Sequence, residues 1–91
     1  MLLSELFSMQ NIECPPWLSQ EPLEDDWKTS NYQINEDTHI WEAKTEVKNV
    51  KITFDGMDLI YEAFTQNNDL IYRKIINEDN IVQETLFPMT T

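Results

Sequence analysis

The sequence predicts an α+β domain: a short N-terminal helix packed on an antiparallel meander of four to five strands. Three patterns point there. The first ten residues carry an apolar stripe at helical spacing. Thr38 to Lys48 alternates between two side-chain classes, as a strand with one wet face does. From Val50 to Phe87, apolar runs rich in Ile, Val, Tyr, Phe and Thr are separated by short polar breaks. With 91 residues the chain makes one small domain with a thin core. It divides into a helix over 1–10, an irregular acidic Pro/Trp segment over 11–37 and the meander over 38–87.

In the helix, Leu2, Leu3, Leu6, Phe7 and Met9 form the stripe, and Ser4 caps it or lies just inside. So short a helix does not persist alone and must dock on the sheet or on another subunit. Cys14-Pro15-Pro16-Trp17 ends it, because consecutive prolines hold the chain extended. Between Trp17 and Trp27 stand Glu21, Glu24, Asp25 and Asp26. A charge run of this kind is usually a solvated face, but flanking tryptophans are typical of binding anchors. Thr29 to Asp37 is polar around Tyr32 and Ile34 and reads as a short edge strand or a loop. In the strand that follows, His39, Trp41, Ala43, Thr45 and Val47 face the core. Ile40, Glu42, Lys44, Glu46 and Lys48 face water.

The meander proper opens with Val50 to Phe54, alternating, followed by Asp55-Gly56, a strong hairpin signal. Gln66-Asn67-Asn68-Asp69 and Asn77-Glu78-Asp79-Asn80 are turn-forming clusters and poor helix interiors. Asp-Leu-Ile-Tyr occurs at 58–61 and again at 69–72. The 11-residue period also fits three helical turns, so two short helices over 57–65 and 69–77 are the alternative.

Charge is the outlying quantity: seventeen acidic against six basic residues, net −11. This disfavours direct binding to nucleic acid or an anionic membrane, which depends on Lys and Arg meeting phosphates. It points to basic partners, although acidity also keeps small proteins soluble. No stretch approaches the ~20 apolar residues of a membrane span. One cysteine excludes an internal disulfide and fits a cytoplasmic location.

The residues for chemistry are sparse. His39 and Cys14 are too few ligands for zinc, which takes three or four. No Ser sits in a nucleophile motif, and Gly56, the single glycine, excludes a Gly-rich phosphate loop. The lone His39 reads as a packed or hydrogen-bonded side chain, and Cys14 as an inert thiol. Asp55 and Asp58 lack the alternating ligands of a calcium loop. The chain therefore reads as no enzyme, with no catalytic residues, metal or cofactor; a small carboxylate-dependent enzyme is the remote alternative.

Acidic rows on strands can imitate a phosphate backbone. Alternate strand residues are ~6.6–6.8 Å apart, about two phosphate steps at ~3.4 Å. Glu36, Asp37, Glu42 and Glu46 form one such row, Glu24, Asp25 and Asp26 a second cluster, and Asp55, Asp58, Asp69, Glu78 and Asp79 lie at turns. In size, acidity, aromatic content and lack of a site, the chain resembles the small inhibitors that bacteriophages encode against host enzymes, including anti-restriction, anti-CRISPR and uracil-glycosylase-inhibitor DNA mimics. The resemblance covers the whole chain as a set of properties, with no diagnostic motif and no residue roles. It implies a phage protein of the host cytoplasm that evades host defence by blocking a basic restriction or CRISPR-type nuclease. Lys44, Lys48, Lys51, Arg73 and Lys74 depart from the most acidic mimics and mark one face as not mimetic. The expected partner-binding residues are Glu24, Asp25, Asp26, Glu36, Asp37, Glu42 and Glu46, with Trp17 and Trp27 as anchors. The alternative is an interaction module or assembly subunit, possible as a homodimer, that binds through its aromatics or a sheet edge.

Overall fold

The computed structural model describes residues 2–23, 29–44 and 48–87. Among them are a helix, α1 (Leu3–Met9), a 3₁₀ turn (Pro16–Leu18) and six strands. The strands are β1 (Thr29–Asn35), β2 (Thr38–Lys44), β3 (Asn49–Phe54), β4 (Asp58–Phe64), β5 (Leu70–Asn77) and β6 (Val82–Leu86). They form one antiparallel sheet in chain order.

Six strands replace the expected four to five, and the sheet begins at Thr29 rather than Thr38. The polar sequence of β1 has little strand propensity of its own. It becomes a strand because the two-residue Glu36-Asp37 link folds it back onto β2, pairing Tyr32 with Trp41 and Gln33 with Ile40. Strand preference is largely context. The helical alternative over 57–65 and 69–77 is overturned: those residues form β4 and β5. The two Asp-Leu-Ile-Tyr copies are not equivalent. A register shift pairs Ala63 with Tyr72 but Phe64 with Leu70, so β5 carries an extra residue there. Their tyrosines still meet, Tyr61 and Tyr72 edge to face with centroids 6.0 Å apart.

The helix starts with Leu2 at the N-cap and Ser4 inside. The Glu5 carboxylate accepts a hydrogen bond from the Leu2 amide at 2.7 Å, satisfying a donor the helix cannot. The Leu3 amide donates to the Glu21 carbonyl at 2.8 Å, and Leu2 bridges to Pro22. Helix start and residues 21–22 thus form one covering layer. From the apolar stripe Leu3, Leu6 and Phe7 are buried, while Leu2 and Met9 stay exposed.

That layer covers one face of the sheet. Phe7 stacks on Trp41 with centroids 5.1 Å apart and meets Phe54 at the same distance. Leu18, Ala43, Val50, Ile52, Leu59 and Ile76 complete the core. At its margin Lys74 Nζ lies 2.7 Å from Glu21 Oε1, tying the layer to β5. Burial alone would depress the Lys74 ammonium, but the hydrogen bond and charge of Glu21 outweigh it and leave it raised. Trp41 has no exposed surface, and its indole Nε1–H lacks a hydrogen-bond partner. Beyond this cover all of β6 is exposed.

The other face was expected to be wet, yet Ile40 and Glu42 are half-buried. Cross-strand neighbours explain it. Ile40, Thr53, Ile60 and Ile75 stand in one row, and Glu42, Lys51, Glu62 and Arg73 in the next. Arg73 donates to Glu62 Oε2 through Nε at 3.2 Å and Nη2 at 3.1 Å.

Candidate acidic interface

In a meander, every second turn lies at the same end of the sheet. The β1–β2, β3–β4 and β5–β6 turns therefore share one end, and all three are acidic: Glu36-Asp37, Asp55 with Asp58, and Glu78-Asp79. With strands ~4.8 Å apart, turns two strands apart are ~10 Å apart. No described basic residue lies in these turns. Lys44 and Lys48 flank the opposite end, while Lys51, Arg73 and Lys74 sit within strands.

Each turn is built by local chemistry. In the first, Glu36 takes a positive φ of 57°, a region that suits glycine or asparagine. In the second, the Asp55 carboxylate accepts hydrogen bonds from the amides of Asp58 at 2.8 Å and Met57 at 2.9 Å. These bonds, against a small desolvation effect, hold its pKa below the ordinary carboxylate range. Gly56 supplies φ 96° with open space around its Cα. In the third, the Asn77 side chain accepts from the amides of Asp79 and Ile81, both at 3.0 Å, and Asn80 takes φ 60°.

Beside each acid pair stands an exposed apolar side chain: Ile34 at 59% exposure, Met57 at 62% and Ile81 at 55%. From the sequence Ile34 was expected as an apolar anchor of its segment, and Met57 and Ile81 were not singled out. Met57 between two aspartates was the available signal. Carboxylates interleaved with exposed aliphatic groups make a surface that can meet a basic partner both electrostatically and by desolvation.

The predicted residues are divided by the fold. Glu36 and Asp37 belong to the acidic end. Glu42 does not: it lies mid-strand opposite Lys51, so the expected Glu36, Asp37, Glu42 row is not a continuous acidic line. Glu24, Asp25, Asp26, Trp27 and Glu46 lie outside the described residues. Trp17 is half-buried against Phe54, centroids 6.2 Å apart, and helps roof the core. Asp69 lies in the β4–β5 turn at the opposite end.

His39 packs against both Tyr32 and Trp41, whose rings also meet each other with centroids 5.4 Å apart, and its Nδ1 lies 2.7 Å from the Tyr32 hydroxyl. Burial pushes the Cys14 thiol up, away from thiolate reactivity. A cleft of about 340 Å³ between Pro22-Leu23 and β3–β5 is largely aliphatic and aromatic, with the Lys74–Glu21 pair in its wall. Among the described residues, no group of three His, Cys, Asp or Glu side chains could hold a metal, and no helix is long and apolar enough to cross a membrane. Comparison with known proteins gives no match to a protein family, a curated protein or a solved structure.

Proposed function

We propose that the chain is a non-catalytic inhibitor that occupies the nucleic-acid groove of a basic host enzyme, of restriction or CRISPR type, through the acidic end of its sheet. One observation carries this reading: three acidic turns at one end, each with an exposed apolar side chain and none with a described base. Two charges per ~10 Å compare with about three phosphates per DNA strand over that length. The imitation is of charge density along one strand. A basic groove would be drawn to it by steering that weakens with salt.

The test compares the wild type with a variant carrying Glu36→Gln, Asp37→Asn, Glu78→Gln and Asp79→Asn, each immobilised in bacterial lysate. The reading expects nucleic-acid enzymes to be captured by the wild type, eluted early in a salt gradient, displaced by excess duplex DNA and lost with the variant. Capture that survives high salt and DNA, or that the variant retains in full, would refute it.

A further inference from the structure

The sheet has two edges, and they differ. A register shift between Thr29 and Asn31 interrupts β1, which blunts an edge against further pairing. In β6 the ladder is regular. The Phe87 amide donates to the Ile71 carbonyl at 3.0 Å, and the Asn77 amide to the Ile81 carbonyl at 3.2 Å. Antiparallel alternation then directs the backbone groups of Gln83 and Thr85 at β5, and those of Val82, Glu84 and Leu86 away from the sheet. The same three side chains lie on the inner face, where the register carries Val82 next to Ile76, Glu84 to Lys74 and Leu86 to Tyr72. Val82 is 46% exposed and Leu86 79%. Among the described residues no strand pairs with this edge, which thus offers hydrogen-bonding groups and an apolar–acidic–apolar row on the same residues.

Self-pairing fits this row poorly. A two-fold axis through Glu84 would bring Val82 opposite Leu86 of the other copy, but would set the two Glu84 carboxylates directly opposite each other. A shift of two residues separates the carboxylates only by placing each against an apolar side chain. A net charge of −11 on each copy adds repulsion. Lys74, the neighbour of Glu84, pairs directly with Glu21, so Glu84 feels its charge only as a neighbour. Glu84 accepts a hydrogen bond from the Tyr72 hydroxyl, and its exposed carboxylate keeps room for a further cation.

We infer that the free edge of β6 docks an extended segment of a basic partner protein, adding a strand whose alternate residues read apolar, Lys or Arg, apolar. Main-chain bonds to Val82, Glu84 and Leu86 supply the pairing, and the cation opposite Glu84 supplies the selection. This site begins at Val82, directly after the third acidic turn, but it uses the edge of β6 and Glu84 rather than the turn carboxylates and does not depend on their function.

The experiment titrates 15N-labelled protein with two five-residue peptides, apolar-Thr-Lys-Thr-apolar and the same peptide with Glu for Lys. The Lys peptide should shift the amides of Val82, Glu84 and Leu86 at millimolar concentration. The Glu peptide should bind at least about fivefold more weakly, since attraction is exchanged for repulsion at a half-exposed pair. Glu84→Lys should invert the preference and Glu84→Gln abolish it, while Glu36→Gln with Asp37→Asn leaves both affinities unchanged. The assay contains no nucleic acid or enzyme, so its outcome is separate from that of the inhibitor test. Absence of shifts in β6, equal binding of both peptides, or β6 signals that broaden with protein concentration through self-pairing would overturn the inference.

Discussion

Replacing Glu36 with glycine should make the fold more stable and the acidic end weaker. Glu36 holds φ 57° in a two-residue link whose flanking pair is Asn35 with Thr38. A side chain in left-handed backbone costs roughly 1–2 kcal/mol because Cβ crowds the following carbonyl oxygen. Glycine removes that cost but gains unfolded-state entropy, returning roughly 0.4–1 kcal/mol. The net gain is about 0.5–1 kcal/mol, which at ~4–8 °C per kcal/mol for a domain of this size is a rise in Tm of about 2–8 °C. Thermal melts followed by far-UV circular dichroism read it directly. Glu36→Asn should show a smaller gain of the same sign. Glu36→Gln keeps Cβ and removes the charge, so it isolates relief of repulsion from Asp37, worth a few tenths of a kcal/mol. A lower Tm for Glu36→Gly, or an equal gain for Glu36→Gln, would refute the conformational argument. The glycine variant also loses one of the six carboxylates at that end, so a basic partner should associate more slowly with it at low salt.

Two other predictions concern the core and the second turn. Trp41→Phe trades the loss of ring contacts against relief of a buried indole N–H without a partner, a group that costs roughly 1–3 kcal/mol. The expected change is within about 1 kcal/mol, against ~3–5 kcal/mol for Trp41→Ala; urea denaturation giving more than ~3 kcal/mol for Trp41→Phe would mean the N–H is bonded. Because the Asp55 pKa is lowered in the fold, its contribution is present above the ordinary aspartate range and lost as pH falls through the folded value. Asp55→Asn retains an acceptor oxygen but no titration, so its stability should approach or overtake wild type between neutral pH and about pH 3, by about 1 kcal/mol or less at so exposed a site. A wild-type-to-variant difference that stays constant over that range would sink the idea.

The elements were legible where local chemistry is strong. The apolar stripe marked the helix, although Gln10 and Asn11, the latter at φ 57°, end it before Pro15-Pro16 is reached. Gly56 and the Asn-rich clusters marked turns, and the alternation around Trp41 placed that residue inside. β1 was legible only as an edge strand or a loop, because its polar residues become a strand through pairing with β2. The Glu42 assignment to an acidic row failed because its neighbour across the sheet is Lys51, a contact set by register between strands rather than by spacing along one.

By itself the sequence determined the net charge, the single histidine, cysteine and glycine, and the order of apolar runs and turns, since these are properties of composition and short-range pattern. Tertiary structure alone decided which acids share a surface. Carboxylates from residue 36 to residue 79 meet at one end because antiparallel pairing returns the chain there at every second turn. It also decided that the N-terminal layer stops short of β6, leaving Val82, Glu84 and Leu86 at an open edge. Both follow from long-range pairing, in which residues distant in sequence acquire neighbours that no local pattern encodes.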